Sequence, residues 1–320
     1  MTTMKPGHKG EAVKIGFAGP SRSERDWLGP LAAVWSFRWI LVAFVLILWF
    51  VYYPIVDNFV VSTKNQDIFT GETAFVGLEN YRRLQADPVV WTSIVNNTLY
   101  AVISVVFQVF GAFVLAALIE GLAGERWRRF WRAVYFVPSA ISITVTGLLF
   151  YFIYQPDIGL LNSGLTQLGL GSWSRAWLGE DGTAIYAIIA MSQWQGFGYS
   201  TLLFAIAIQK IPRDLYDAAI MDGAGTWRRL WSITFPLTRE MTGLMVIITI
   251  TGAFQVFNEV MVMTGGGPNN ASQVLGTWLY EQGFNQNDMG YAAAIGSLIF
   301  AVTMACGLAQ LWLNARRRVT

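Results

Sequence analysis

The residues able to do acid–base or metal chemistry are few. The 320-residue chain has one His, His8, and one Cys, Cys306. One cysteine makes neither an internal disulfide nor a metal cluster, and His8 lies in a polar stretch where a solvated side chain is the plain reading. The patterns GxxxxGK[ST], HExxH and GxSxG are absent. The chain therefore offers no loop to cradle ATP phosphates, no zinc-binding helix and no nucleophile elbow. No catalytic residue, cofactor or metal is expected. Ionisable groups inside apolar stretches usually mark ion or proton paths, and only Asp57 and Glu259 qualify, both near the ends of theirs. Those stretches hold neutral polar groups instead: Asn96, Asn97, Gln108, Ser142, Thr144, Thr146, Gln193, Gln195, Ser200, Thr249, Thr251 and Gln255. Such amides and hydroxyls either bond helix to helix or line a neutral polar path.

A second cluster of informative residues runs from Tyr216 to Pro236, between two apolar stretches. It is too polar to cross a bilayer, yet it has helix punctuation. Pro212 stands near a start, Gly223 suits a left-handed stop, and a short amphipathic run follows that ends at Pro236. Leu215, Ala218, Ala219 and Asp222 fall at i, i+3, i+4 and i+7, on one face of a helix over about 213–222. Small residues on that face admit another surface closely, with Leu215 as the apolar anchor. Thr226 is placed to cap the second short helix, whose Trp227, Leu230 and Trp231 would pack it on a membrane surface.

The elements that must position these residues are membrane helices. The chain is 54% apolar and 13% charged, against about 25% charge in a soluble domain. Its net charge of +2 is too small to argue for nucleic acid. Six windows carry the roughly 20 apolar residues that a span requires: about 37–60, 93–119, 134–154, 184–208, 243–263 and 290–313. The first lies too far from the N-terminus, and is too long, for a cleaved signal peptide. Of the 22 Lys and Arg, only Lys64, Arg82, Arg83 and Arg175 fall in the loops that would face out if the N-terminus is inside. The positive-inside rule therefore expects both termini and the 210–240 loop in the cytoplasm. The organisation expected is a cytoplasmic tail at 1–36, a six-helix domain at 37–315 and a basic C-terminus at 316–320.

An all-α membrane domain with a neutral polar interior and no phosphate loop needs an external engine, or it is a passive channel. A secondary carrier would want intramembrane carboxylates or a repeated half. A membrane enzyme would want an acid–base or metal constellation at the interface.

Asp217-Ala218-Ala219-Ile220-Met221-Asp222-Gly223, followed by Ile233-Thr234-Phe235-Pro236, resembles the EAA loop of binding-protein-dependent ABC importer permeases, with Asp for Glu and Phe for Leu. FVGLENYRRL at 75–84, NNTLYAV at 96–102, FVPSAIS at 136–142, MTGGGPNNAS at 263–272 and GYAAAIG at 290–296 look like the maltose and multiple-sugar branch, so the resemblance spans about 40–315. It implies a type I importer permease bundle, paired with a second homologous permease. It implies a dimer of ATP-binding subunits docked on Leu215, Asp217, Ala218, Ala219, Asp222 and Gly223. It also implies an extracytoplasmic sugar-binding protein and a sugar substrate. In the maltose family the positions matching Ser192, Gln195, Gly196 and Tyr199 line the sugar, with further contacts matching Ser139 and Thr249. Ala253 and Val256 stand where that family has asparagines on the fifth helix.

Depth agrees with this. Gln195 lies about 17 Å down the fourth window and Gln255 about 18 Å up the fifth, at 1.5 Å per residue, near the middle of a core about 30 Å thick. Both are therefore candidate path residues. The outer loop at about 264–289 is a candidate contact for the binding protein. From the missing phosphate loop, the purified chain free of partners is expected to show no ATP hydrolysis; turnover by the chain alone would contradict this.

Overall fold

The computed structural model describes residues 40–66, 71 and 73–317, with side chains as far as Trp312. The sequence expectations for 1–36, His8 and 318–320 lie outside the described residues. By contacts the chain separates into two units, Met1–Asp57 and Asn58–Thr320, described each by itself. In the first unit the described residues are helical and leave their apolar side chains exposed, with the Trp49 and Tyr53 rings stacked at 5.7 Å. They belong to helix α1, Ile40–Val61.

The second unit opens with a short hairpin, β1 Lys64–Gln66 paired antiparallel with β2 Thr73–Phe75, and helix α2, Glu79–Ala86. Helix α3, Pro88–Glu120, is the spine of the unit. Asp87 starts it by accepting the Val89 N–H at 2.8 Å, with proline in the first turn where its missing N–H costs nothing. Its second half packs along α7, Ala184–Gln209. Ala112, Ala116 and Ala205 are fully buried there and let the backbones approach, while Phe113 meets Phe204 edge-on at 5.7 Å. Glu120, at the end of α3, accepts a two-pronged bond from Arg132 of α4, Glu125–Ala140, at 2.8 Å on each oxygen.

Two of the windows expected as single spans are broken helices. In 134–154, α4 ends in a tight turn around Pro138, Ile141 and Ser142 are extended, and α5, Ile143–Ile153, leaves at 90°, followed by the short α6, Leu160–Gln167. Ser139 fixes this elbow against α7. Its hydroxyl donates to the Gln195 carbonyl at 2.5 Å and accepts the Tyr199 N–H at 3.0 Å, two groups that an α-helix pairs across one turn. Gly198 makes the contact possible, since an added Cβ would stand 1.8 Å from the Tyr135 carbonyl. In 243–263, α10, Arg239–Phe254, stops at Gln255 and a separate α11, Asn258–Met263, follows. The charged loop between windows four and five forms α8, Arg213–Met221, and α9, Thr226–Leu237, which meets α10 at 74°. Pro236 is accommodated in the last short turn, and the break falls two residues later at Thr238.

The chain then folds back through α12, Leu275–Tyr280, and closes with α13, Met289–Arg317. By length and apolarity three helices among the described residues can cross a membrane, or five if each bent pair is one span. The α7 helix is long enough but is interrupted by Ser192, Gln193, Gln195, Ser200 and Thr201, all buried.

The α10–α11 joint is held by α3. Asn97 donates to the Ala253 carbonyl at 2.6 Å and accepts the Leu275 N–H at 2.9 Å. Asn96 donates to the Ala271 and Gln273 carbonyls, both at 2.8 Å. Replacing Asn97 with Leu leaves a buried acceptor and a buried donor unpaired, at about 1–3 kcal/mol each. The thermal midpoint of solubilised Asn97→Leu is expected to fall well below that of Thr98→Val, whose exposed hydroxyl bonds only its own helix at Ile94. Equal midpoints would mean that the joint is secured elsewhere.

Candidate functional site

A cavity of about 180 Å³ lies where α3, α7, α10 and α11 converge. From α3 it receives Tyr100, Ser104 and Gln108, spaced four apart and so on one helix face. From α7 come Ser192, Tyr199 and Ser200; from α10 come Met245, Ile248, Thr249, Gly252 and Ala253; Val256 and Glu259 follow the break. The cavity is smaller than the roughly 300–1,000 Å³ of closed ligand pockets, and one side is open: Tyr199 is 50% exposed and Ile248 45%.

Amide bonds hold the polar wall in place. Gln108 donates to the Gln193 side-chain oxygen at 3.0 Å, and Gln193 donates on to the Ser104 hydroxyl at 3.0 Å. Gly196 leaves room for this row, because an added Cβ would stand 2.8 Å from the Gln108 amide nitrogen. Glu259 is 8% exposed and accepts the Tyr100 hydroxyl at 2.7 Å.

The structure brings together Ser192, Tyr199 and Thr249 of the sequence-predicted path residues, with Gly196 behind them. Ser139 and Gln195 point elsewhere: the Gln195 amide donates to the Ile141 carbonyl at 2.7 Å and so satisfies the elbow between α4 and α5. Gln255 is exposed at the end of α10 and is not part of the lining. Sequence reasoning passed over Tyr100 and Ser104 as lining groups and named Glu259 without a direction. The four-residue spacing from Tyr100 to Gln108 was the available signal.

At the opposite end of the unit, α8 presents Leu215, Asp217, Ala218 and Asp222 as exposed residues and Ala219 as half-buried. Tyr216, on the other side, ties the helix down with a 2.9 Å hydroxyl contact to Thr234. The helix closes on Gly223, at φ 74°, with Gly223 N–H to Ile220 carbonyl at 2.9 Å and Ala224 N–H to Ala219 carbonyl at 2.8 Å. This is the paired closure of a Schellman motif. Thr226 does not cap α9, which starts from Gly225; the Thr226 hydroxyl instead accepts from Arg229 at 3.4 Å. Leu230 is buried, Trp231 lies against Phe235 at 5.4 Å, and Trp227 remains 64% exposed.

Loop 264–289 is folded rather than extended. Thr264 and Ser272 share a hydroxyl contact at 2.8 Å, and Val274 and Leu275 are fully buried. Gly266, at φ 92°, admits the Gln273 amide where a Cβ would lie 2.2 Å away. Of its two acidic residues, Asp288 pairs with Arg83, while Glu281 bonds Asn285 and Gln286 of its own turn.

Residues 112–319 match the family model described as a binding-protein-dependent transport system inner membrane component. The probable ABC transporter permease protein YurN of Bacillus subtilis is 48% identical over 271 residues, covering 85% of this chain and 93% of that protein. The arabinooligosaccharides transport system permease protein AraP of the same organism is 30% identical over 314 residues, covering 97% of this chain and 98% of that one. In a bacterial alginate ABC transporter, solved in complex with its alginate pentasaccharide-bound periplasmic protein, one chain superposes with a TM-score of 0.78 at 20% identity, covering 92% of this chain and 96% of that chain. That likeness carries the fold.

The geometry separates two kinds of polar residue that sequence grouped together. Gln195→Leu removes a bond that holds the elbow and is expected to lower thermal stability, by about 0.5–1.5 kcal/mol. Tyr199→Ala removes a cavity wall while its backbone bond to Ser139 persists, and is expected to leave stability near wild type while reducing or redirecting solute uptake. Parallel melting and transport assays check this; equal loss of stability in both variants would contradict the division.

Proposed function

The chain belongs to the binding-protein-dependent transport system inner membrane components, and on that premise we propose that it is the permease subunit of an ATP-driven sugar importer. The sugar assignment rests on relatives named for oligosaccharide transport and on the neutral amides and hydroxyls of the cavity wall. Planar amides match hydroxyl groups, and Tyr100 and Tyr199 offer ring surface for C–H faces. A second, homologous permease closes the open side at Tyr199 and Ile248. A periplasmic-type binding protein delivers the sugar over the 264–289 end, and the α8 end faces the cytoplasm, where the basic residues cluster. Energy comes from a separate pair of ATP-binding subunits, since no phosphate loop is present in this chain.

The observation that carries the reading is the state of α8. Its outer side chains Leu215, Asp217, Ala218 and Asp222 are exposed, its inner side is bonded to Thr234, and its end is closed by backbone bonds alone. Such a helix moves as a rigid handle. From Thr234 the connection runs through buried Leu230 into a core cluster with Val109, Phe113, Phe204 and Met245. Met245 also lines the cavity, so a displacement of the handle has a packed route to the solute path.

The left-handed conformation of Gly223 gives a specific test. A β-branched residue there costs about 1–2 kcal/mol of backbone strain, whereas Asn tolerates it. In proteoliposomes with all partners, Gly223→Val is expected to lose most uptake and Gly223→Asn to retain it. A cysteine at Ala219 is expected to cross-link to a cysteine in the ATP-binding subunit. Full uptake by Gly223→Val together with no cross-link would remove the coupling role.

A further inference from the structure

The solute cavity holds one acidic side chain and no basic one. Among its lining residues Glu259 is the one ionisable side chain besides the two tyrosines, and no Lys, Arg or His contributes to the wall. The carboxylate is more than nine-tenths buried. One of its oxygens accepts the Tyr100 hydroxyl at 2.7 Å, and no ion pair reaches it among the described residues. The acidic residues that do pair with an arginine, Glu120 with Arg132 and Asp288 with Arg83 among them, lie outside this cavity.

A carboxylate taken out of water is costly unless a cation and further hydrogen bonds compensate it. Tyr100 supplies a hydrogen bond and no charge. Glu259 sits in the first turn of α11, where the helix dipole favours an acid but brings no ionic partner. A glutamine would serve a purely neutral sugar equally well, as Gln108 does elsewhere in the lining.

We infer that the transported solute is a sugar or polyol bearing a protonated amine, and that Glu259 is the group that receives the ammonium. This rests on the sugar-import reading and narrows it. An ammonium brings a positive charge and up to three donors, and Glu259 lines the cavity together with the hydroxyl residues Ser192 and Thr249, which can accept them. The same wall still meets the sugar hydroxyls with neutral groups. A phosphorylated or carboxylated solute would be repelled.

The test compares uptake by the complete reconstituted transporter, with its second permease, ATP-binding subunits and binding protein. The probes are glucose, glucosamine and N-acetylglucosamine, and the disaccharides cellobiose, chitobiose with free amines, and diacetylchitobiose. Acetylation removes the charge and keeps the ring. Wild type is expected to import at least one free-amine sugar about tenfold or more above its acetylated counterpart, the scale of a charge-assisted bond. Glu259→Gln is expected to lose that ratio while still copurifying with its partners. Tyr100→Phe, which keeps the carboxylate, is expected to preserve it. The same binding protein serves all variants, so a change in the ratio belongs to the permease. Import of neutral sugars with no amine preference in wild type overturns the inference, and that comparison requires no variant. An amine preference that survives Glu259→Gln overturns the assignment to this residue. Import of none of the six by a complex that hydrolyses ATP overturns the sugar reading itself.

Discussion

Two adjacent asparagines in α3 secure the least regular part of the fold. A helix that stops inside an apolar bundle leaves its last carbonyls without partners, and in lipid no water is available to satisfy them. At the end of α10 the Ala253 carbonyl is met by Asn97, which also takes the Leu275 N–H, while Asn96 holds the returning chain at Ala271 and Gln273. With these bonds made, α11 can begin a new direction and bring Glu259 over Tyr100. Without them the α10–α11 break, the fold-back loop and the floor of the cavity would have no fixed relation to α3.

The same logic explains the second break. The elbow after Pro138 exposes a carbonyl at Ile141, and the α7 amide of Gln195 covers it. Ser139 and Gly198 then dock the elbow on α7. Several polar residues of the interior are thus consequences of broken helices. Others, Ser104, Gln108 and Gln193, form a row of their own that lines or supports the cavity.

Much of this was legible beforehand. Apolar windows located the helices, and the residue grammar around Gly223 located α8 and its exposed face to within a residue. Family membership followed from the 217–236 motif. The breaks were not legible, because hydropathy is blind to backbone direction: 134–154 and 243–263 read as unbroken apolar stretches, although Pro138 and Gly252 lie within them. Depth along a window also could not tell which way an amide points. Gln195 and Gln193 are two residues apart at nearly equal depth, yet Gln193 bonds into the cavity wall while Gln195 bonds the elbow. Glu259 stood out in the sequence as an ionisable group near a window's end, but its facing was not legible there; after the break at 255–257 it lines the cavity.

The closure of α8 has an evolutionary consequence. Its geometry is written in main-chain bonds and a single glycine, with no vote from Leu215, Asp217, Ala218 or Asp222. The outline of the handle is therefore decoupled from the identity of the surface it displays. Those side chains can be exchanged without altering the outline of the helix, so the shape displayed at this position outlasts the identity of the residues that display it.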